Sequence, residues 1–341
     1  MALPKINSSF TTVVRNPPPG RGLVEYLTIR FSYHSREEWL DLLAQGRLSL
    51  DGATAHAEAR LRQGQTLRFA VVDYEEPDVP TDFRVLTGSE NGDLLFIHKP
   101  ADLPMHRTGK IFFQTLANLV RESLGDSAWS PLNRLDRETS GIVAFARGPQ
   151  ALREYAPTQP GCGWTKMYAA VTAAPPKHAT GRFTSPLMER SDDPVRCRMH
   201  EHPLGKPALT LFHTVATEGG RALVALSPVT GRKHQLRAHL AADGCPVVGD
   251  KIYSLDSKAY LKRLESDLDE DDYLELGARH HLLHSFHLRI GRAGLPFTEA
   301  WDWNCSPEFT RYFDMEVMRR WVNSPACEAM RKVAERLRTP L

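Results

Sequence analysis

A basic and an acidic side chain flank one leucine directly before an apolar segment. Arg134 and Asp136 are followed by a Thr-Ser-Gly turn at residues 139–141 and by an apolar run at residues 142–146. A short β-branched and aromatic run after a Ser-Gly turn predicts a buried strand, so we expect both charged residues in the loop at its mouth. A carboxylate placed there can act as a base or a nucleophile, although an Arg-Asp pair can also simply stabilise a turn.

A second basic group lies at the predicted start of a helix. Residues 234–242 are predicted to be helical, and Arg232, Lys233 and Arg237 crowd the first turn. Positive charge and free backbone N–H groups at a helix N-terminus bind phosphate, whereas the alternative is a solvated basic helix end. The formal net charge of the chain is only +2, so the local cluster, and not the overall charge, favours a nucleic-acid partner.

Four ordered blocks resemble the pseudouridine synthases that modify large-subunit ribosomal RNA and some tRNA. Residues 228–253 are similar to the family's second signature, in which Thr-Gly-Arg-Thr-His-Gln-Ile-Arg precedes a Pro-Ile-x-Gly-Asp-x-x-Tyr loop, with Lys233 replacing the usual Thr. Residues 93–106 resemble the family's first strand and Lys-Pro turn, residues 166–171 its Lys-x-Tyr strand, and residues 279–285 its Arg-x-x-x-Leu-His-Ala strand. Together with the Arg-Leu-Asp segment, the resemblance covers roughly residues 88–305.

The resemblance implies that the chain isomerises uridine to pseudouridine. This reaction breaks the bond between the ribose and the ring nitrogen, rotates the uracil and joins its carbon five to the ribose. Because it needs neither a redox step nor an external group, we expect no cofactor and no metal. Asp136 would attack the anomeric carbon or remove a proton from the sugar, and both roles stay open. Arg237 would be its salt-bridge partner, and Tyr168 would stack on the target base and could take part in proton removal, which makes Asp136, Tyr168 and Arg237 the expected catalytic residues.

The resemblance also implies how structured rRNA or tRNA would be held. The target base must be extruded from the folded RNA, with Arg134 filling the gap and Leu283 forming the floor beneath the uracil. The complete set of expected substrate-binding residues is Arg134, Arg232, Lys233, Leu283, Lys166, His234 and Gln235. Asn133 stands where the family has His, and we expect this change to alter loop hydrogen bonding or substrate choice without abolishing activity.

Two other functions remain open. A catalytically silent RNA-binding protein, for instance a ribosome-assembly factor, could retain the fold and a basic cleft, although it has no need of Asp136, Tyr168 and Arg237. Hydrolysis of a nucleoside bond would use similar carboxylate chemistry, but it normally requires two acids or a metal, and no second catalytic acid is evident in these motifs.

Strand-like and helical segments mix after residue 88, which predicts an α+β domain. We predict helices at residues 112–124, 234–242 and 315–321, and strands at residues 209–212 and 223–226. The resemblance adds a large, mainly antiparallel mixed sheet with flanking helices and a central cleft. The predicted organisation is an N-terminal extension (1–21), a small α/β module (22–74), a linker (75–87) and the catalytic domain (88–341).

The predicted module resembles the small RNA-binding domain first seen in a ribosomal small-subunit protein. Ser35 and Glu38 form a capping box before an apolar helix face, and Asp51-Gly52 predicts a hairpin turn. Its basic content is thin, so the module either binds RNA or is only a folded appendage.

The remaining sequence features limit the class of protein. No apolar run is long enough for a transmembrane helix, the first 15 residues lack the apolar core of a signal peptide, and the five cysteines share no C-x-x-C spacing. We therefore expect a cytoplasmic monomer with reduced thiols, whose partner is RNA and not a membrane or a protein. The acidic residues 267–272 imitate a calcium loop but lack its glycine and final glutamate. Strand alternation at residues 282–290 would place His281 and His284 on opposite faces, which disfavours a metal.

Overall fold

Helices and strands mix in both of the units into which the chain divides. The computed structural model describes residues 6–17, 19–20, 22–31, 34–159, 161–292 and 296–338. One unit consists of residues 1–79 with 106–115, and the other of residues 80–105 with 116–341. Within the described ranges, no helix has the length and apolar character needed to cross a membrane.

The N-terminal unit packs two helices on a small antiparallel sheet. Its elements are β1 (Ile6–Val13), α1 (Leu23–Arg30), α2 (Arg36–Ala44), β2 (Leu48–Leu50), β3 (Ala53–Thr54) and β4 (Thr66–Tyr74), in the sheet order β1-β4-β2-β3. The predicted capping box is confirmed, because Ser35 Oγ accepts from the Glu38 N–H at 3.1 Å and the Glu38 carboxylate accepts from the Ser35 N–H at 2.7 Å. The Asp51-Gly52 turn also forms, with a positive φ at both residues.

The borders of this unit differ from the predicted domain borders. β1 lies inside the predicted N-terminal extension, yet it pairs with β4 and leads Val14 into the core. Part of the predicted linker also belongs to the unit, because the Glu76 carboxylate accepts from the backbone N–H groups of Phe112, Phe113 and Gln114 at 2.6, 2.7 and 2.9 Å. Residues 106–115 therefore group with the N-terminal unit, although they lie within the predicted catalytic domain.

The larger unit is built on one mixed sheet. Its strands are β5 (Arg84–Gly88), β6 (Leu94–Lys99), β7 (Trp129–Pro131), β8 (Ser140–Arg147), β9 (Cys162–Thr172), β10 (Thr180–Phe183), β11 (Leu187–Glu189), β12 (Met199–Glu201), β13 (Thr210–Glu218), β14 (Arg221–Pro228), β15 (Leu283–Arg292) and β16 (Thr298–Trp301). Among the described residues, the main path is β10-β13-β14-β9-β15-β8-β6-β5, while β11 and β12 pair separately. Neighbours along this path are antiparallel except β8 and β15. The predicted α+β class with a mainly antiparallel mixed sheet is confirmed, and its first strand begins inside the predicted linker.

Helices flank this sheet. They are α3 (Leu116–Leu124), α4 (Gly148–Glu154), α5 (Gln235–Ala242), α6 (Lys258–Glu265), α7 (Glu270–Leu276), α8 (Pro307–Thr310), α9 (Met315–Val322) and α10 (Pro325–Arg338). The predicted helix at residues 315–321 is confirmed as α9. α3 begins four residues later than predicted, because the backbone N–H groups of residues 112–114 bind the Glu76 carboxylate. α5 begins after His234, whose φ of 52° is left-handed, and the two predicted strands lie largely within the longer β13 and β14.

The parallel contact between β8 and β15 positions the loop that carries Asp136. His284 pairs with Ser140, and Ser285 pairs with Gly141. A side chain at Gly141 would place its Cβ 2.3 Å from the Ser285 carbonyl oxygen, and the φ of +106° also favours glycine. Glycine thus lets the two strands approach, and it brings the loop before β8 close to β9, the other neighbour of β15.

Candidate active site

A cleft of about 660 Å³ crosses the larger unit. It is lined by the loop before β8, one face of β9, the start of α5, the start of β15 and the end of α10. Every site residue expected from the sequence lines it, namely Arg134, Asp136, Lys166, Tyr168, Arg232, Lys233, His234, Gln235, Arg237 and Leu283. Folding therefore gathers residues that are up to about 150 positions apart in the chain into a single cavity.

Asp136 and Arg237 form the charged centre of the cleft. Arg237 Nη1 donates to Asp136 Oδ2 at 2.9 Å. The remaining face of the guanidinium is bidentate to Asp250, with Nε donating at 2.6 Å and Nη2 at 2.8 Å. Asp250 is fully buried and also accepts from the backbone N–H groups of Ile252 and Tyr253. Arg237 is thus fixed from behind by one carboxylate while it contacts the other, which faces the cleft.

The charges around Asp136 keep it ionised. Burial alone would raise the pKa of Asp136, but the charge of Arg237, joined in acid by those of His234 and His281, outweighs burial and lowers the pKa to about 2. Burial lowers the pKa of His234 to about 4 and that of His281 to about 3. Both imidazoles are therefore neutral near pH 7, and Arg237 is the permanent cation beside Asp136. A buried carboxylate that stays charged at neutral pH can act as a nucleophile or as a base.

The backbone around Asp136 is held by buried polar contacts. Lys99 Nζ donates to the carbonyl oxygens of Pro100, Leu103 and Arg137 at 2.8, 2.9 and 2.8 Å. Burial lowers the pKa of Lys99 to about 7, while three carbonyl acceptors match the three hydrogens of an ammonium group. One end of the reactive loop is therefore tied to the turn that follows β6.

Two further side chains hold the same loop. Asn133 Oδ1 accepts from the Ala144 N–H at 2.8 Å, so the residue that departs from the family pattern does make a loop hydrogen bond. Glu138 pairs with Lys251 Nζ at 2.8 Å. Burial alone would raise the pKa of Glu138, but Lys251 and His281 contribute to lowering it to about 2. The loop is thus anchored on both sides of Asp136, which pre-organises the carboxylate.

Alternate residues of β9 face the cleft. Cys162, Trp164, Lys166 and Tyr168 all line it, as the two-residue period of a strand requires. Burial raises the pKa of Tyr168 to about 12, so its phenol is neutral at physiological pH. Leu283 is almost completely buried on the adjacent strand. The cleft therefore offers an aromatic ring and an aliphatic side chain close to the Asp136 carboxylate, a combination that suits a planar base.

Residues at the start of α5 differ in how many of their polar groups already form hydrogen bonds within the protein. Gln235 Oε1 accepts from the Thr230 hydroxyl and the Arg232 N–H, and its Nε2 donates to Leu209 and Thr210. All the bonding capacity of this amide is satisfied within the protein, so Gln235 shapes the loop instead of offering a free contact.

The two cations beside Gln235 are differently engaged. Lys233 pairs with Glu189 at 2.6 Å, whereas Arg232 donates through Nε to the Pro207 carbonyl oxygen at 2.9 Å. The Arg232 guanidinium thus keeps further N–H groups for a ligand.

Several residues of the site stand outside the set expected from the sequence. Asp250 stands in the Gly-Asp-x-x-Tyr loop, so the family motif could have identified it as a site residue. Lys99 lies in the Lys-Pro turn of the first block, but nothing there indicates that its ammonium group reaches the loop of Asp136. Arg338 lines the cleft from the end of α10, far outside every recognised block, and no local pattern indicates this placement.

Three potential metal ligands cluster near the reactive loop. Ligand atoms of Asp102, Glu138 and His280 lie within 4.8 Å of one another. However, Asp102 pairs with Arg137 at 2.7 Å, and Glu138 pairs with Lys251, so protein cations already neutralise both carboxylates. His281 and His284 bond separately, to Thr139 at 2.7 Å and to Ser140 at 2.8 Å. These contacts favour a structural role for the polar groups behind the loop.

Comparisons with known proteins agree with the motifs. A family model for RNA pseudouridylate synthase matches residues 93–242. RNA pseudouridine synthase 7 of Oryza sativa subsp. japonica is 27% identical, over 72% of this chain and 63% of its own length. The mitochondrial tRNA pseudouridine(32) synthase of Saccharomyces cerevisiae is 30% identical, over 69% of this chain and 50% of its own. An uncharacterised RNA pseudouridine synthase of Chloroflexus aurantiacus is 31% identical, over 64% of this chain and 71% of its own. The chain thus spans less than two thirds of the first two relatives.

Proposed function

Because the chain belongs to the RNA pseudouridine synthase family, we propose that it converts uridine into pseudouridine within structured RNA. One observation carries this proposal. Among the described residues that line the cleft, Asp136 is the single carboxylic acid, and it is bonded at 2.9 Å to the buried Arg237. The remaining cleft cations, Arg134, Lys166, Arg232, Lys233 and Arg338, suit a polyanionic substrate.

The isomerisation balances with one carboxylate. The bond between the ribose C1′ and uracil N1 breaks, the uracil turns, and a bond forms between C1′ and C5. The proton on C5 is lost, and N1 gains one, so no atom enters or leaves. Asp136 either attacks C1′ or removes a proton from the sugar, and the ionised state enforced by Arg237 serves both routes.

The surroundings of Asp136 suit an extruded uridine. Tyr168 offers its ring for stacking and Leu283 an apolar floor, while Arg134 occupies the loop two residues before the carboxylate. A base inside folded RNA must leave its stack to reach a cleft of this kind, and Arg134 would fill the vacated position. The Saccharomyces relative is named for a tRNA position, and structured tRNA and rRNA are the substrates we propose.

Mapping of pseudouridine in unmodified tRNA and rRNA transcripts, with and without the protein, tests this function. Asp136→Asn should abolish product formation while RNA affinity stays within a few-fold, because the substitution preserves shape. Asp271→Asn, at an exposed position on α7, is the matched control and should retain the parent rate.

Three outcomes would contradict the proposal. RNA binding by the parent without conversion of any uridine would favour the silent RNA-binding alternative. Release of free uracil would indicate hydrolysis of the nucleoside bond instead. Turnover by Asp136→Asn at the parent rate would remove this carboxylate from the chemistry.

A further inference from the structure

The last helix of the described chain brings a second cation to the wall of the cleft along β9. Arg338 ends α10 and lines the same cavity as Lys166 and Tyr168. The match to the family covers residues 93–242, so α10 lies outside it. A residue remote in sequence thus contributes to the candidate active site.

Arg338 occupies a position where the sheet opens. The ladder between β9 and β14 ends at the pair Tyr168 and Leu226. Beyond it, Arg338 Nη1 donates to the Trp164 carbonyl oxygen at 2.6 Å, and Nη2 donates to the Pro228 carbonyl oxygen and to Ser227 Oγ. These bonds hold the guanidinium between two strands that no longer pair, and they leave further N–H groups of the fork for a ligand.

Lys166 and Arg338 are two cations that no carboxylate of the described chain contacts directly, and only the more distant Glu335 acts on Arg338 through its charge. Among the described residues, neither makes an ion pair with a carboxylate within 4.0 Å, in contrast to Lys233 and Arg237. Lys166 Nζ instead lies 4.6 Å from the centroid of the Trp164 ring. Burial, and secondarily the charge of Arg338, lower the pKa of Lys166 to about 8. Two like charges held together in a partly dry wall are unfavourable unless an anion joins them.

We propose that Lys166 and Arg338 form a binding subsite for one phosphodiester group of the RNA strand, next to the nucleotide whose base lies against Tyr168. This inference rests on the proposed function. Two residues along a strand separate Lys166 from Tyr168 by about 7 Å, so the subsite lies beside the proposed base position. Arginine suits such a site because its fork matches the oxygens of a phosphate.

Arg336 provides a matched control on the same helical turn. It is exposed and does not line the cleft. We expect Arg338→Gln to weaken binding of a single-stranded RNA about tenfold or more, and to lower the slope of log affinity against log salt by about 0.7, the value for one phosphate contact. Arg336→Gln should leave both quantities at the parent value. Arg338→Lys should keep the parent slope, because it retains the charge.

Three results would overturn the subsite. The first is an unchanged salt slope in Arg338→Gln, and the second is an equal reduction of the salt slope in Arg336→Gln. The third is a reduction of the salt slope in Arg338→Lys equal to that in Arg338→Gln, which would indicate that the Arg338 guanidinium has only a structural role. Thermal unfolding of each variant shows whether the variant stays folded. A second measurement uses the parent protein and so does not depend on the folding of the variants. In it, an arginine-specific dicarbonyl reagent labels the parent protein with and without RNA.

RNA should protect Arg338 but not Arg336 from the reagent, and equal labelling of Arg338 in both states would overturn the proposal. The labelling result for the subsite can be distinguished from the activity result for the proposed function. If the parent forms pseudouridine and RNA leaves Arg338 unprotected, only the subsite fails. If the parent forms no pseudouridine, the proposed function fails whatever the labelling shows.

Discussion

Replacement of Arg237 by Met should separate two consequences of its position between Asp136 and Asp250. Arg237 is 4% exposed and bonds both carboxylates. Its removal leaves Asp250, which is completely buried, as a charge without a cation. Breaking a buried pair in this way costs about 3–5 kcal/mol of unfolding free energy. We expect denaturant unfolding of Arg237→Met to show a loss of this size.

The same substitution should act on catalysis through Asp136. With Arg237 absent, burial is largely unopposed near pH 7, so the pKa of Asp136 rises from about 2 to above its ordinary value. Arg237→Met also removes the 2.9 Å hydrogen bond that positions the Asp136 carboxylate. Because misplacement of a reacting group costs about a hundredfold in rate, we expect the single-turnover rate of uridine isomerisation to fall about a hundredfold.

The pH dependence has a defined sign. The carboxylate is the active form, so in the parent Asp136 stays ionised down to about pH 2 and imposes no acid limb at neutral pH. In Arg237→Met, the rate should fall as pH decreases through the raised pKa. Single-turnover rates measured between roughly pH 5 and 9 would show this limb in the variant only.

A double variant distinguishes the two effects. Asp250→Asn removes the unpaired charge but keeps an oxygen for the backbone N–H groups of Ile252 and Tyr253. Arg237→Met with Asp250→Asn should therefore recover at least half of the lost stability, yet remain as inactive as Arg237→Met alone. Activity of Arg237→Met within threefold of the parent would refute the assigned role of Arg237. A double variant no more stable than Arg237→Met would refute the origin given for the stability loss.

Five other substitutions test the supports and the RNA contacts of the site. Lys99→Met should cost about 3 kcal/mol in denaturant unfolding, because three buried carbonyl oxygens lose their donor; a loss below about 1 kcal/mol would contradict this. Gly141→Ala should cost more than about 3 kcal/mol of unfolding free energy through its clash with β15. Gly148→Ala should cost only about 1 kcal/mol, because this glycine has a positive φ but open space around it. Similar losses of unfolding free energy in both variants would show that the positive φ alone causes the loss. Arg134→Ala should slow isomerisation in a stem-loop far more than in an unstructured strand, because only a stacked base must be extruded, while Lys233→Ala should weaken both substrates alike. Equal losses for Arg134→Ala on both substrates would assign it to simple electrostatic binding.

Local features of the molecule were predictable because they depend on residues near each other in the chain. The Ser35 and Glu38 capping box, the Asp51-Gly52 turn and α9 follow from patterns a few residues long. The candidate site residues were recognisable for a different reason. They stand in ordered motifs that resemble one family, and the structure places all of them around one cleft.

Only the tertiary structure decided which groups meet across long sequence separations. The pairing of β1 with β4 and the contacts of Glu76 with residues 112–114 moved the domain borders, because strand partners and buried acceptors are chosen by the whole core. The packing of α5 and α10 against the sheet likewise determines that Arg237 has two carboxylate partners and that Arg338 reaches the gap between β9 and β14. The sequence around a charged side chain does not indicate its partner, because burial and distance determine that partner only when the chain has folded.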